Sequence, residues 1–187
     1  KPAGRGQKVS MSAVKDYAVS KNLRLLQPTN LKSEDFLAEL KSLNANLHVV
    51  VAFRMLPEVV WKMPKLGTFN LHASLLPEYR GAAPINWAII NGETKTGVTT
   101  FFIDDKIDTG AMILSKETTI GTNESAGELH DRLMQLGSEA VIETLHLIEE
   151  GKATTTVQTE NPNVKTAYKL NKDNCKIDWT QSGITIF

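Results

Sequence analysis

The stretch GTFNLHASLLPEYRGAAPINW, residues 67–87, decides how this chain is read. Its first seven residues alternate as a strand does. Side chains two apart in an extended chain share a face, so Asn70, His72 and Ser74 take one side and Phe69, Leu71 and Ala73 the other. The run LLPEYRGAAP then breaks the strand, and PINWAIING reads as a helix with Pro84 at its first position and Gly92 just past its end. Ligands of open α/β sheets sit beyond the carboxyl ends of the strands, where residues 70, 72 and 74 would gather.

The flanking sequence supplies the rest of such a domain. Residues 1–9, KPAGRGQKV, read as a loop, and residues 11–22 as a short helix capped by Ser10 or Ser12. Residues 23–28, LRLLQP, read as a strand. Residues 33–43 predict a helix with Ser33 as its cap, two acids in its first turn, and Phe36, Leu37, Leu40 and Leu43 at helical spacing. The β-branched run LHVVVAF, residues 47–53, predicts a strand covered on both faces. PEVVWKMP gives a helical turn or two. GVTTFFI and AMILSKETTI flank the polar loop DDKIDTG and predict an antiparallel pair. Over residues 124–149 the apolar positions Ala126, Leu129, Leu133, Leu136, Ala140, Val141, Leu145 and Ile148 predict the longest helix, ended by Gly151. Polar, linker-like residues follow, then YKLNKDNCKIDW. Strands alternating with helices of this length argue an α/β domain with a largely parallel sheet.

Composition narrows the class. The 187 residues are 41% hydrophobic and 22% charged, which suffices for one domain with a core. Lys and Arg number 21 and so do Asp and Glu, so the domain as a whole is not built for non-specific binding to nucleic acid. Residues 1–24 differ: Lys1, Arg5, Lys8, Lys15, Lys21 and Arg24 stand against Asp16 alone. Cys175 is the single cysteine, so no internal disulfide forms and a reducing compartment is expected. VVVAF is far shorter than the about 20 apolar residues of a membrane span, and no apolar signal region follows Lys1. G-x-G-x-x-G and G-x-x-x-x-G-K-[ST] are absent, so dinucleotide and nucleotide binding are poorly supported.

Three side chains carry the candidate chemistry. The Asn70 amide can aim an N–H at a developing oxyanion, and an imidazole such as His72 can donate or move a proton. An imidazole is commonly oriented by a carboxylate, and Asp108, in the loop KIDTG between two strands, could reach the same rim. The plain reading stays open beside this one: His72 as a hydrogen-bonded structural residue, Asn70 and Asp108 as turn residues. Asp104 and Asp105 read as solvated loop charges, and His48, His130 and His146 as structural or surface residues. A Ser74–His72–Asp108 hydrolase lacks G-x-S-x-G, and a metal site would need more ligands than His72 and Asp108. On the residues alone the chain is an α/β enzyme for which acyl or one-carbon chemistry fits.

FNLHASLLPEYRGAAP, followed later by IDTG, resembles the formyltransferases that use 10-formyltetrahydrofolate. The family pattern is N-x-H-x-S-L-L-P, a following Gly and a later D-x-G; here it falls on Asn70, His72, residues 74–77, Gly81 and residues 108–110. The resemblance implies a Rossmann-like fold: a mostly parallel twisted sheet with helices on both faces. It implies a catalytic domain over residues 1–178, a linker beginning at 179–187, a first strand absent before Lys1 and a further domain absent after Phe187.

Within the family, KPAGRGQK, YRGAAPI and KLNKDNCKIDW are most similar to the members that formylate initiator Met-tRNA. Arg54-Met55-Leu56 is instead similar to members acting on glycinamide ribonucleotide. That leaves a small amine as the alternative acceptor, beside hydrolysis of the folate. The resemblance assigns catalysis to Asn70, His72 and Asp108. It assigns folate contacts to Arg54, Met55, Leu56, Ser74, Leu75, Leu76, Pro77, Ile103 and Ile107, and tRNA contacts to Lys1, Arg5 and Lys8. It implies 10-formyltetrahydrofolate as co-substrate without a metal, a monomer, and residence in the bacterial cytoplasm or an organelle matrix rather than at a membrane.

Overall fold

The computed structural model describes residues 2–3, 8–9, 11–52, 55–159 and 162–186, the first two pairs as backbone only. The chain divides into two compact units, Lys1–Leu43 and Asn44–Phe187.

In the first unit β1 (Pro2–Ala3) pairs antiparallel with β2 (Lys8–Val9), so strands flank the segment expected as loop alone. Helix α1 (Ala13–Ser20) starts at Ser12, whose hydroxyl accepts the Lys15 N–H at 3.3 Å. It stops where Asn22 turns left-handed at φ 53° and the Leu23 N–H reaches back to the Ala18 carbonyl at 2.9 Å. Residues 23–28 form no strand, contrary to expectation. No described strand lies beside them to pair with, and their polar side chains are spent locally: Arg24 on Glu39 at 2.6 Å, Gln27 on Lys15 at 2.8 Å. Helix α2 (Glu34–Ser42) carries Glu34 and Asp35 in its first turn, where the helix dipole favours them. Ser33 occupies the cap position but does not cap; its hydroxyl donates to the Asn30 carbonyl at 3.1 Å.

The second unit is built around β4 (Thr68–His72), which lies between β3 (His48–Val51) and β6 (Lys95–Phe102). With β7 (Met112–Thr119) the sheet runs β3-β4-β6-β7. The α/β fold is as expected, but the sheet is mixed: β3 and β4 are parallel, while β4–β6 and β6–β7 are antiparallel. Residues 103–111, which join β6 to β7, are too few for a crossover helix, so that pair must be antiparallel. Strand β3 was expected to be covered on both faces. It is instead an edge strand among the described residues, with Val49 and Val51 exposed and His48 and Val50 half-buried.

Between β4 and β6 lie the short strand β5 (Arg80–Gly81) and helix α4 (Pro84–Ile90). Pro84 opens that helix, and Gly92 follows its Asn91 cap, as the sequence predicts. Strand β5 pairs with β8 (Thr166–Ala167). Helices α3 (Glu58–Trp61) and α6 (Gly183–Ile186) are single turns. Helix α5 (Ala126–Glu149) begins in a capping box: the Ser125 hydroxyl accepts the Glu128 N–H, and the Glu128 carboxylate accepts the Ser125 N–H.

One face of α5 packs on β6 and β7. Leu129, Leu133 and Ala140 meet Val98 there, with Leu71 and Leu136 at the margin. Each fully buried Leu contributes about 1.5–3 kcal/mol relative to exposure. A polar tie crosses the same interface: the hydroxyls of Thr100 and Thr144 lie 2.7 Å apart, and Thr144 also donates to the Ala140 carbonyl at 2.7 Å. Among the described residues no helix is long and apolar enough to cross a membrane.

Two outcomes are expected. Thr144→Val strips the buried Thr100 hydroxyl of its close partner and should lower unfolding free energy by about 1–3 kcal/mol, part of which Thr100→Val in the same chain restores; urea unfolding of both variants measures this. Burial lowers the pKa of His48 from its ordinary 6.5, against a raising backbone bond at Val60. The unfolded chain therefore takes up a proton as pH falls through 6.5 while the folded chain does not, and stability declines on that acid side. His48→Gln should flatten the decline, read as urea midpoints at about pH 7.5 and about pH 5.5.

Candidate active site

Asn70 and His72 sit on the central strand β4, Asn70 opposite Val50 and Phe101 and His72 opposite Thr99. Backbone pairing, on both sides at Asn70 and to β6 at His72, fixes their positions before any side-chain contact is counted. The Oδ1 atom of Asn70 is buried without a hydrogen-bond partner among the described residues. A buried amide with an open end is uncommon in a folded chain, and it leaves capacity for a ligand.

His72 is only 6% exposed, and its Nε2 lies 2.8 Å from the Tyr79 carbonyl. A carbonyl only accepts, so Nε2 carries the hydrogen and Nδ1 is the nitrogen left to face the site. Nδ1 stands 3.7 Å from Asp108 Oδ2. That is too long for a hydrogen bond and short enough for an ion pair when the ring is protonated.

The Tyr79 carbonyl is aimed by a backbone that a bulky residue seldom adopts, φ 59°. Its surroundings impose the shape. The Tyr79 N–H donates to the Lys165 carbonyl at 2.6 Å, its phenol donates to Glu93 and accepts from Asn91 at 3.1 Å, and Lys165 closes on Glu93. Burial, then the Glu93 bond, pushes the phenol up. Burial also pushes Glu93 up, but its bonds from Lys165 and Tyr79 prevail and hold the carboxyl below its usual value.

Asp108 comes from the loop between β6 and β7, as the sequence predicts. It is left-handed, φ 55°, a shape Asp tolerates better than most residues. Its Oδ2 accepts the Gly81 N–H at 2.9 Å. Gly81 has φ 120°, and a Cβ there would lie 2.5 Å from the Ala167 carbonyl, so only glycine brings that N–H to the carboxylate. At Gly110 a Cβ would stand 1.6 Å from the Phe102 carbonyl; the loop closes onto β6 only because that carbon is absent. Asp104 departs from the expected solvated charge: it accepts the Thr109 hydroxyl at 2.8 and 3.0 Å and the Lys106 N–H at 3.0 Å, and so braces the loop.

These groups open onto a cleft of about 1300 Å³. Asn70, His72 and Asp108 line it together with Met55, Leu56, Ile103 and Ile107, four of the positions expected to touch folate. Arg54 lies outside the described residues. Residues 74–77 are not among the residues that line the cleft. β4 ends at His72, and Ser74 turns away to donate to the Glu78 carbonyl at 2.6 Å. The Ser74 carbonyl and the Leu76 N–H are both tied to the Thr99 hydroxyl, at 2.8 and 3.1 Å, while Leu75 and Pro77 continue that tethered turn. Lys1 and Arg5 lie outside the described residues, and Lys8 opens β2 with only its backbone described.

Sequence reading included Gly81 in the motif but assigned its amide no role, and it missed the Tyr79 carbonyl, which carries no side-chain signal, and Gln158, which lies in a segment read as polar linker. His130 borders the cleft but is exposed and paired with its neighbour Asp131 at 3.1 Å. No group of three or more His, Cys, Asp or Glu among the described residues could hold a metal ion. An amide, an imidazole and a carboxylate around one apolar cleft can stabilise an oxyanion and move a proton.

Known proteins resemble the chain throughout. A family model described as formyl transferase matches residues 1–145. The methionyl-tRNA formyltransferase of Flavobacterium johnsoniae is 76% identical over 183 residues, covering 98% of this chain and 58% of that protein. That of Bacteroides fragilis is 54% identical over 184 residues, 97% of this chain and 57% of that protein. The chain thus spans less than two thirds of these curated relatives. A crystal structure of an N-formyltransferase from Helicobacter canadensis, in complex with folinic acid and dTDP-3-aminofucose, superposes with a TM-score of 0.71. It covers 99% of this chain and 64% of that one at 23% identity, a likeness of fold.

Gly110→Ala should displace the Asp108 loop and lower unfolding free energy by at least about 1–3 kcal/mol. Gly183→Ala, where a Cβ meets nothing within 4 Å, is the matched control for the same thermal-unfolding measurement.

Proposed function

This chain belongs to the formyl transferase family, and we propose that it transfers the formyl group of 10-formyltetrahydrofolate to the α-amine of methionine on initiator Met-tRNA. The observation that carries the reading is the meeting of Asn70, His72 and Asp108 at one cleft. The acceptor follows from the relatives named methionyl-tRNA formyltransferase, which align with almost the whole of this chain.

The amine attacks the formyl carbon, a C–N bond forms, and the carbonyl oxygen takes negative charge. The Asn70 amide donates to that oxygen, a contact worth on the order of 10²–10³ in rate. His72, with Nε2 held by the Tyr79 carbonyl, offers a protonated Nδ1 to the same charge. Asp108 neutralises that imidazolium and accepts the proton that the attacking amine must lose. The oxyanion then collapses to a carbonyl, the bond to the folate nitrogen breaks as that nitrogen takes the proton held at the His72–Asp108 pair, and the formamide leaves on the tRNA with tetrahydrofolate as the other product. Met55, Leu56, Ile103 and Ile107 give the folate an apolar wall. Residues 74–77 meet the folate through main-chain groups, and Arg54 adds a cation. Lys1, Arg5 and Lys8 meet tRNA phosphates, a contribution that salt weakens. Residues 1–178 form the catalytic domain and 179–187 lead out of it; the protein works as a monomer in the cytoplasm.

Transfer of labelled formyl to initiator Met-tRNA, assayed beside amino sugars and glycinamide ribonucleotide, tests the proposal. Turnover confined to a small amine would replace the acceptor, and formate release without acceptor at the turnover rate would make the chain a hydrolase. Asn70→Ala and Asp108→Ala should each lower kcat by at least about 10² with folate binding little changed. Unchanged kcat would remove these residues from the mechanism.

A further inference from the structure

Gln158 stands outside every motif, in the segment between α5 and β8, yet it is 7% exposed and satisfied at all four of its hydrogen-bonding positions. Its Oε1 accepts from Arg80 Nε at 3.0 Å and Nη2 at 2.6 Å. Its Nε2 donates to the Asp108 carbonyl at 2.9 Å and the Gly110 carbonyl at 2.8 Å. The orientation is unique, because a guanidinium only donates and carbonyls only accept. A flipped amide would set like against like at both ends.

The bridge spans the two segments on which the Asp108 carboxylate depends. One is the loop that carries Asp108 in its left-handed turn. The other is β5, where Arg80 precedes the Gly81 N–H that binds Oδ2. Resting on the catalytic reading above, we infer that Gln158 is a positioning residue for Asp108. It fixes the distance between loop and β5, and through them the placement of the carboxylate before His72. None of these four hydrogen bonds of Gln158 goes to His72 or to the carboxylate. The loop has a separate brace in Asp104 and Thr109, so it stays folded when the bridge is cut.

Gln158→Glu is nearly isosteric. It keeps an oxygen for Arg80 and turns the other end into an oxygen that repels the two carbonyls. Gln158→Leu removes both ends and serves where the buried charge alone disturbs folding. Two measurements in the full chain decide the matter: steady-state formyl transfer, and amide hydrogen exchange of Gly81, whose N–H reports the carboxylate directly. In both variants kcat should fall at least about tenfold with KM for folate and acceptor within about threefold, since misplacement of a reacting group is felt in the transition state. Gly81 should exchange at least about tenfold faster while amides in β6 keep their protection, which separates local displacement from general destabilisation.

Gly81 exchange at the parent rate in both variants would overturn the inference, whatever happens to kcat. So would accelerated exchange with kcat unchanged. Absence of formyl transfer by the parent protein would instead sink the functional reading, and Gly81 exchange would still decide whether Gln158 places Asp108.

Discussion

Both halves of the site hang on the backbone around a single residue, Arg80. The carbonyl on one side of it, from Tyr79, accepts from His72; the amide on the other, from Gly81, donates to Asp108. Positive φ at Tyr79 and at Gly81 lets these two main-chain groups reach their partners. Sparsely populated backbone of this kind costs on the order of 1–3 kcal/mol per non-glycine residue and persists only where neighbours over-determine it. Here the neighbours are β8 and the residue before it, through the Ala167 and Lys165 carbonyls, and the Glu93 network around the Tyr79 phenol.

The division of labour is chemically sensible. Committing Nε2 of His72 to a carbonyl chooses the tautomer and leaves Nδ1 toward Asp108, so the second proton, the one that charges the ring, enters on the side of the carboxylate. The carboxylate is in turn held by a neutral N–H, which orients it without cancelling its charge. Asn70 Oδ1 is buried without a partner among the described residues, and as an acceptor it suits a donor on a ligand, such as an attacking amine, leaving the developing oxyanion to the N–H end of the amide.

Rigidity comes from β4. A strand paired on both sides cannot shift register without breaking two ladders, so residues 70 and 72 are among the best-fixed positions in the unit. The loop that brings Asp108 is anchored differently. It is pressed against β6 through Gly110, pinned inside by Asp104, and tied outward by Gln158 to Arg80. A fixed strand and a triply tied loop therefore supply the partners of one ion pair.

Sequence alone determined what short-range physics controls. Alternation around Asn70 and His72 located β4, Pro84 and Gly92 bracketed α4, and the apolar period over residues 124–149 gave α5. The residue types at 70, 72 and 108 offered a candidate chemistry beside a plain structural reading, and the family motif they fall in favoured the chemistry. Tertiary structure alone decided the rest. LRLLQP has strand composition but no described partner, and pairing makes a strand. The β6–β7 pair is antiparallel as its short connection requires, but β4 and β6, joined through α4 by a connection long enough for either direction, are antiparallel by tertiary placement, and that makes the sheet mixed. Ser74 shares the expected alternation with residues 70 and 72, yet the strand stops before it and its hydroxyl is spent on Glu78. Gly81 belongs to the motif, but the role of its amide, like the Tyr79 carbonyl and the four bonds of Gln158, was not legible, since a backbone group acts through where the fold aims it and a buried glutamine reads like a surface one until its partners, far along the chain, are in place.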